Sequence, residues 1–374
     1  MRLVVTGGGT GGHVYPALAI AQACAGVPAF APLVTTYVGS RRGLEARLVA
    51  EAGVPMAFVR AAPLERGRPL ALVRTVLTNA AGFVEALVAM RRARPDVLVA
   101  TGGYVTFPVV AALRTMRALG VSRARIALLE PNARAGLANR LLAPLVDEVW
   151  YAATPGRPLL ERESVVGTPV RGSLRHLPSR ASARAAFAFD EARPVVVVMG
   201  GSQGARTLNE ALADLVRSDA LPEVQFLAIA GTRDFDALRV RIAGRGGVTV
   251  VPYVDDPALA YAAADVVVAR AGASTLGELA ATATPALLVP YPHATDDHQA
   301  HNARAFAATG AARVVDDRDL DGPRLGAEIA AMLAPERLAA MRAAAGERVP
   351  PDATERIVAR MKAALGREPS ARGR

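Results

Sequence analysis

The sequence predicts an α/β protein built from two parallel-sheet domains. Three observations carry the prediction. Short apolar runs alternate with helix-length segments along the whole chain. The alternation stops and restarts once, around a stretch rich in Gly, Pro and Ser at residues 155–182. The first apolar run of each half ends in a glycine-rich turn, GGGTGG from Gly7 and GGSQGA from Gly200. The 374 residues also exceed one typical core and suit two domains.

In the first half the apolar runs place strands at residues 3–6, 34–38, 97–100, 126–129 and 148–151. In the second they fall at 195–199, 225–230, 248–251, 266–269, 286–289 and 312–315. Residues 155–182 are expected to be the linker and hinge. A hydrophobic content of 52% with 21% charged residues identifies a folded chain. Residues 3–40 contain no charged side chain, yet Gly and Pro interrupt them, and the longest piece free of both, 17–25, is half the roughly 20 residues of a membrane span. With a single cysteine, Cys24, and no export signal, a cytoplasmic protein is expected.

The net charge of +10 is unevenly placed. Residues 1–165 hold 19 Arg and 10 acids, hence +9, and the remainder holds 25 basic residues and 24 acids, hence +1. The first half should therefore meet something anionic: nucleic acid, lipid or a phosphorylated substrate. Few aromatics and no recognition-helix or zinc-finger spacing put nucleic acid last.

Gly7, Gly9 and Gly12 satisfy the dinucleotide pattern G-x-G-x-x-G between a strand and a helix. A dinucleotide site also needs an acid at the end of the next strand, which here ends Tyr37, Val38, Gly39, Ser40. The simpler reading is a backbone cradle for phosphate or diphosphate at a helix N-terminus. His13, at the mouth of this loop, is either a general base or a histidine bonding its own helix end. The turn from Gly200 repeats the logic, with Ser202 as a phosphate ligand or a helix cap. Glu278 is either a ribose ligand or a solvated helix residue. His293, His298 and His301 with Asp296 and Asp297 raise a metal site, without a metal-binding signature. The pairs Asp234/Asp236 and Asp317/Asp319 are read as solvated faces.

GGTGGHVYPALA, TGGYVTFP, EPNARAGLANRLLA, VVGTPVR, GGSQGARTLN, VDDPALAYAAADVVVARAGASTLGELA, DHQAHNA and PDATERI, in this order, resemble the MurG family of N-acetylglucosaminyltransferases over residues 2–361. The resemblance implies a GT-B fold: two Rossmann-like domains, 1–166 and 167–349, facing across a cleft, a C-terminal helix at 350–366 returning to the first domain, and a basic tail at 367–374. It implies inverting transfer of N-acetylglucosamine from UDP to the C4 hydroxyl of the muramoyl sugar of lipid I, without cofactor or metal. It further implies a peripheral enzyme of the cytoplasmic face of the inner membrane.

Carried over by position, the implied catalytic residues are His13, as base, with Tyr104 and Asn209 nearby. Ser202, Gln203 and Gly204 hold the UDP phosphates, Val254 meets uracil, and Ala273, Ser274, Thr275, Leu276, Gly277 and Glu278 wrap the nucleoside. Asn132 and Gln299 contact the donor sugar, Arg171 the nucleotide, and Thr10, Gly11 and Gly12 the acceptor diphosphate and donor side. Leu72, Val73, Val76, Leu77, Phe83 and Leu87, with Arg66, Arg68, Arg74, Arg91 and Arg92, form the implied membrane surface. Two departures stand out: Leu129-Glu130-Pro131-Asn132 where the family has His-Glu-Gln-Asn, and Thr168 where it has Asn. The alternatives are another UDP-sugar transferase acting on a glycolipid, an NAD oxidoreductase, and a non-catalytic nucleotide- or lipid-binding protein.

Overall fold

The strands are near-continuous runs of Val, Leu, Ile and Ala because helices cover both faces of each parallel sheet. The computed structural model describes residues 1–63, 69–201, 204–347 and 353–366, excepting the side chains of 69–71 and 347. The chain divides into two compact units, Met1–Arg171 with Pro350–Arg374, and Gly172–Val349.

In the first unit, β1 (Arg2–Thr6), β2 (Val34–Gly39), β3 (Met56–Phe58), β4 (Val97–Ala100), β5 (Arg125–Glu130), β6 (Glu148–Tyr151) and β7 (Glu163–Val165) form one parallel sheet, ordered β3-β2-β1-β4-β5-β6-β7. Leu3 of β1 lies opposite Thr35 on one side and Val97 on the other. The sheet's two faces take alternate residues. Leu3, Val5, Val97 and Val99 point to a core with α1 (Gly11–Ala25) and α2 (Leu44–Glu51). Val4, Leu98 and Ile126 point to the opposite core, with α3 (Pro69–Ala93), α4 (Thr106–Ala118) and α5 (Leu137–Leu142).

The second unit repeats the design. β8 (Val195–Met199), β9 (Gln225–Ile229), β10 (Val248–Val251), β11 (Val266–Ala269), β12 (Ala286–Leu288) and β13 (Ala312–Val314) are ordered β10-β9-β8-β11-β12-β13. Its helices are α6 (Arg180–Ala186), α7 (Arg206–Ser218), α8 (Phe235–Arg241), α9 (Pro257–Ala263), α10 (Ala273–Ala281), α11 (His298–Ala307), α12 (Gly322–Leu333) and α13 (Pro335–Glu347). Leu208, Leu212, Leu325 and Ile329 seal α7 and α12 onto the strands. In both sheets the order reverses beside the first strand, which is where glycine-rich turns meet ligands in such sheets.

The last helix, α14 (Ala353–Gly366), packs on α1. Ile357 and Met361 are fully buried there, Met361 Sδ lies 3.7 Å from Cys24 Sγ, and Arg360 pairs with Glu148 at 2.9 Å. Residues 350–352 and 367–374 lie outside the described residues.

The expected linker at 155–182 is corrected by β7, which adds to the sheet edge by pairing Val149 with Glu163 and Tyr151 with Val165. A buried carboxylate makes this polar strand possible. Glu163 accepts hydrogen bonds from Arg157, the Tyr151 hydroxyl and Leu160 N. Expected as solvated, Asp317 instead pairs with Arg270 and accepts from Thr207, and Asp234 is half-buried against Asn209 and Arg233.

The expected apolar surface on α3 is also revised. Ala86 and Met90 pack in the core on the sheet, Thr75 and Gly82 face the segment 60–63 that follows β3, and a Cβ on Gly82 would lie 1.8 Å from the Arg60 carbonyl, so backbone meets backbone there. Phe83 and Leu87 pack on the same core, while Val84 and Val88 join Leu72, Val73, Val76 and Leu77 in solvent. The reason is helical spacing: 73, 77, 80, 84 and 88 form one stripe and 75, 79, 82, 86 and 90 the opposite one. Arg66 and Arg68 lie outside the described residues.

Candidate active site

The turn after β1 is held from both sides. The Tyr37 hydroxyl donates to Gly7 O at 2.7 Å from beneath, and the Glu45 carboxylate accepts from Gly9 N at 3.3 Å. Both side chains are fully buried. Gly9 sits at φ +90°, in the left-handed region, and a Cβ on it would lie 2.8 Å from the Tyr104 ring. Thr10 is extended and exposed, and α1 starts at Gly11, so the positive end of a 15-residue helix lies at Gly11 and Gly12.

His13 is held by the loop after β4. Its Nδ1 lies 2.8 Å from Thr101 O, while the Thr101 hydroxyl donates to His13 O at 2.6 Å. A carbonyl can only accept, so Nδ1 carries a hydrogen, and in the neutral ring the lone pair is on Nε2. Gly102 (φ +97°) makes this possible, because a Cβ there would lie 2.9 Å from ring Cε1. The ring thus bonds a neighbouring loop through Nδ1.

At the end of β5, Glu130 is 1% exposed and organises the following turn. Its oxygens accept from Asn132 N (2.9 Å), Asn132 Nδ2 (3.1 Å), Gly136 N (3.2 Å) and Asn139 Nδ2 (2.8 Å). Burial pushes its carboxyl above the usual range, and these donors pull the other way. Asn132 is therefore placed by Glu130. The Arg171 guanidinium stacks on the Tyr15 ring at 4.2 Å, two residues along α1 from His13.

In the second unit Ser202 and Gln203 lie outside the described residues. Gly204, at φ +76°, has room for no side chain, since a Cβ would meet Ala230 O at 2.4 Å. Asn209 is buried, with Nδ2 on Ala230 O at 3.0 Å, and ties α7 to the end of β9. Val254 is half-buried in the turn between β10 and α9. Gly272 caps α10, whose first turns hold Ala273, Ser274, Thr275, Leu276 and Gly277. Next to Gly277, Glu278 Oε2 accepts from the Tyr261 hydroxyl at 2.9 Å, so its carboxylate is engaged within the fold. Gln299 Oε1 accepts from Tyr291 N at 3.0 Å, which directs its NH2 group the other way.

The histidine cluster disperses. His298 Nδ1 lies 2.8 Å from Thr295 O, and His293 stands edge-on to Tyr291. Among the described residues no three His, Cys, Asp or Glu side chains gather as a metal cluster would require. The residues that sequence reasoning missed are Glu45, Tyr37 and Thr101, the second row behind the glycine turn. Thr101 lies in the TGGY stretch and carries a signal; Glu45 is one acid at a helix start and carries none.

Two parallel sheets of this order, each with a glycine-rich turn after its first strand, form the GT-B fold, the architecture of glycosyltransferases such as MurG. Residues 3–151 match the glycosyltransferase family 28 N-terminal domain and residues 195–357 its C-terminal domain. The chain belongs to glycosyltransferase family 28, among its MurG members. It is 41% identical over 371 residues to the UDP-N-acetylglucosamine--N-acetylmuramyl-(pentapeptide) pyrophosphoryl-undecaprenol N-acetylglucosamine transferase of Moorella thermoacetica, covering 96% of this chain and 97% of that one. The transferase of the same name from Desulforudis audaxviator is 39% identical over 372 residues, with coverage of 96% and 97%. The crystal structure of Acinetobacter baumannii MurG superposes with a TM-score of 0.76 at 26% identity, covering 96% of this chain and 99% of that chain.

Proposed function

We propose that this chain moves N-acetylglucosamine from UDP-N-acetylglucosamine to the C4 hydroxyl of the muramoyl sugar in undecaprenyl-diphospho-N-acetylmuramoyl-pentapeptide (lipid I), giving lipid II of peptidoglycan. The single observation that carries the mechanism is the His13–Thr101 bond, which in the neutral imidazole puts the lone pair on Nε2. That nitrogen takes the proton of the acceptor hydroxyl as its oxygen attacks the anomeric carbon, and UDP leaves from the opposite face. Charge developing on the departing diphosphate meets backbone N–H groups of the turn at Ser202, Gln203 and Gly204 and the α10 N-terminus at Ala273, Ser274 and Thr275.

Glu278 binds the ribose, Val254 lies on the uracil, and Leu276 and Gly277 shape the same turn. Gln299 and Asn132 contact the donor sugar and Arg171 the nucleotide. Thr10, Gly11 and Gly12 hold the acceptor diphosphate. Tyr104 and Asn209 act as positioning residues, since one rests on Gly9 and the amide of the other is committed to Ala230. The exposed stripe of α3, with Arg74, Arg91 and Arg92 on the same helix, docks on anionic lipid at the cytoplasmic face of the inner membrane.

Radiolabelled UDP-N-acetylglucosamine and a lipid I analogue in detergent test the reading. Transfer by the wild-type chain is expected, and its absence in folded protein that binds UDP would overturn it. His13→Ala should lower kcat by about 10²- to 10⁴-fold with UDP affinity unchanged. Unaltered turnover reassigns His13 to structure.

A further inference from the structure

Glu45 is a fully buried acid in the first turn of α2, behind the glycine turn and outside every role assigned above. Both its oxygens accept. Oε1 takes Ser40 N at 3.1 Å and the Ser40 hydroxyl at 2.6 Å, and Oε2 takes Gly9 N at 3.3 Å. The α2 N-terminus adds its positive pole. Backbone closes on the carboxylate from two sides: a Cβ on Gly8 would lie 2.7 Å from Oε1, and one on Gly43 2.0 Å from Oε2.

A carboxylate beneath a loop that receives a diphosphate competes for the same amides. We propose that Glu45 is a positioning residue that resolves this competition by taking one amide inward, and so sets the loop for the acceptor's diphosphate. This rests on the transferase reading above. Holding the Gly9 N–H inward fixes Gly9 in its left-handed conformation against Tyr104. The α1 N-terminus follows directly at Gly11, with His13 in its first turn, so the setting of Gly9 fixes where that helix end begins. A longer or shorter acid would shift the turn. A glutamine would keep the volume but offer one acceptor oxygen and one NH2 group, so an N–H would oppose either Gly9 N–H or the Ser40 donors.

The test compares wild type, Glu45→Gln and Ser40→Ala by steady-state transfer to a lipid I analogue, by UDP calorimetry and by thermal unfolding. Glu45→Gln is expected to raise KM for the acceptor about 10- to 100-fold, with KM for the donor and UDP affinity changed by less than about twofold. An acceptor KM within about twofold of wild type, or acceptor and donor KM rising together, overturns the inference. Should Glu45→Gln not fold, Ser40→Ala removes one of three donors and is expected to raise the acceptor KM alone, by about 3- to 10-fold. An unchanged acceptor KM in that variant overturns the inference equally. A wild-type chain that transfers nothing removes the transferase reading and this inference with it, whereas active wild type beside an indifferent Glu45→Gln removes this inference alone.

Discussion

Thr101 grips His13 twice, through its carbonyl on the ring and its hydroxyl on the main chain, so the backbone is anchored and the imidazole cannot tilt without losing its own bond. The sequence displays the histidine and the glycines because these residue types carry the chemistry. It hides Glu45, and it marks Thr101 only through the TGGY stretch, because the neighbours of both are fixed only when β1, β2 and β4 come into register. Glu163 is hidden for the same reason. Its carboxyl is held down at about 2, first by Arg157, against an ordinary value of 4.5. Folding therefore favours the deprotonated form. The stability this adds is complete above about pH 4.5 and is lost as pH falls towards 2. Glu163→Gln should lower stability by about 1–3 kcal/mol at pH 7 and flatten the dependence of the urea midpoint between pH 5 and pH 2.5. An unchanged acid slope would place the linkage elsewhere.

At the scale of elements, eleven strands were legible from their apolar runs, five in the first half and six in the second. Two three-residue edge strands were not: β3 is a short apolar stretch directly after Pro55, which masks it as a strand, and Glu-Ser-Val of β7 has no apolar run. α3 shows the opposite case: its composition declared an apolar surface, and only the packing told which apolar residues face outward. Its Leu72–Ala93 stretch has a mean hydropathy of 1.4 with little of it covered. Val76→Asp with Leu77→Asp should weaken binding to anionic vesicles at least about tenfold while leaving the unfolding temperature unchanged. Phe83→Asp should instead destabilise the fold, since Phe83 packs on the core. Equal vesicle binding by the double variant and wild type would remove α3 from the docking surface.

At the scale of the whole molecule, the first unit is discontinuous in sequence, since α14 follows the entire second unit. Its Ile357 and Met361 are fully buried in a core whose other buried members come from residues 3–166. Ile357→Ala should cost about 2–4 kcal/mol and lower the unfolding temperature of the first unit, leaving the transition of the second in place. Coincident shifts of both transitions would show that the units unfold as one.

The same arrangement governs how the chain is made. The ribosome completes residues 1–171 and then 172–349, a further 178 residues (349 − 172 + 1), before α14 exists. At 5–20 residues per second the first unit waits roughly 10–35 s for the helix that covers Cys24. Over that interval the nascent chain presents α1 with an apolar strip uncovered. In the finished protein burial holds the Cys24 thiol up at about 12, so it is inert. Its reactivity on stalled nascent chains would time the moment at which the enzyme closes.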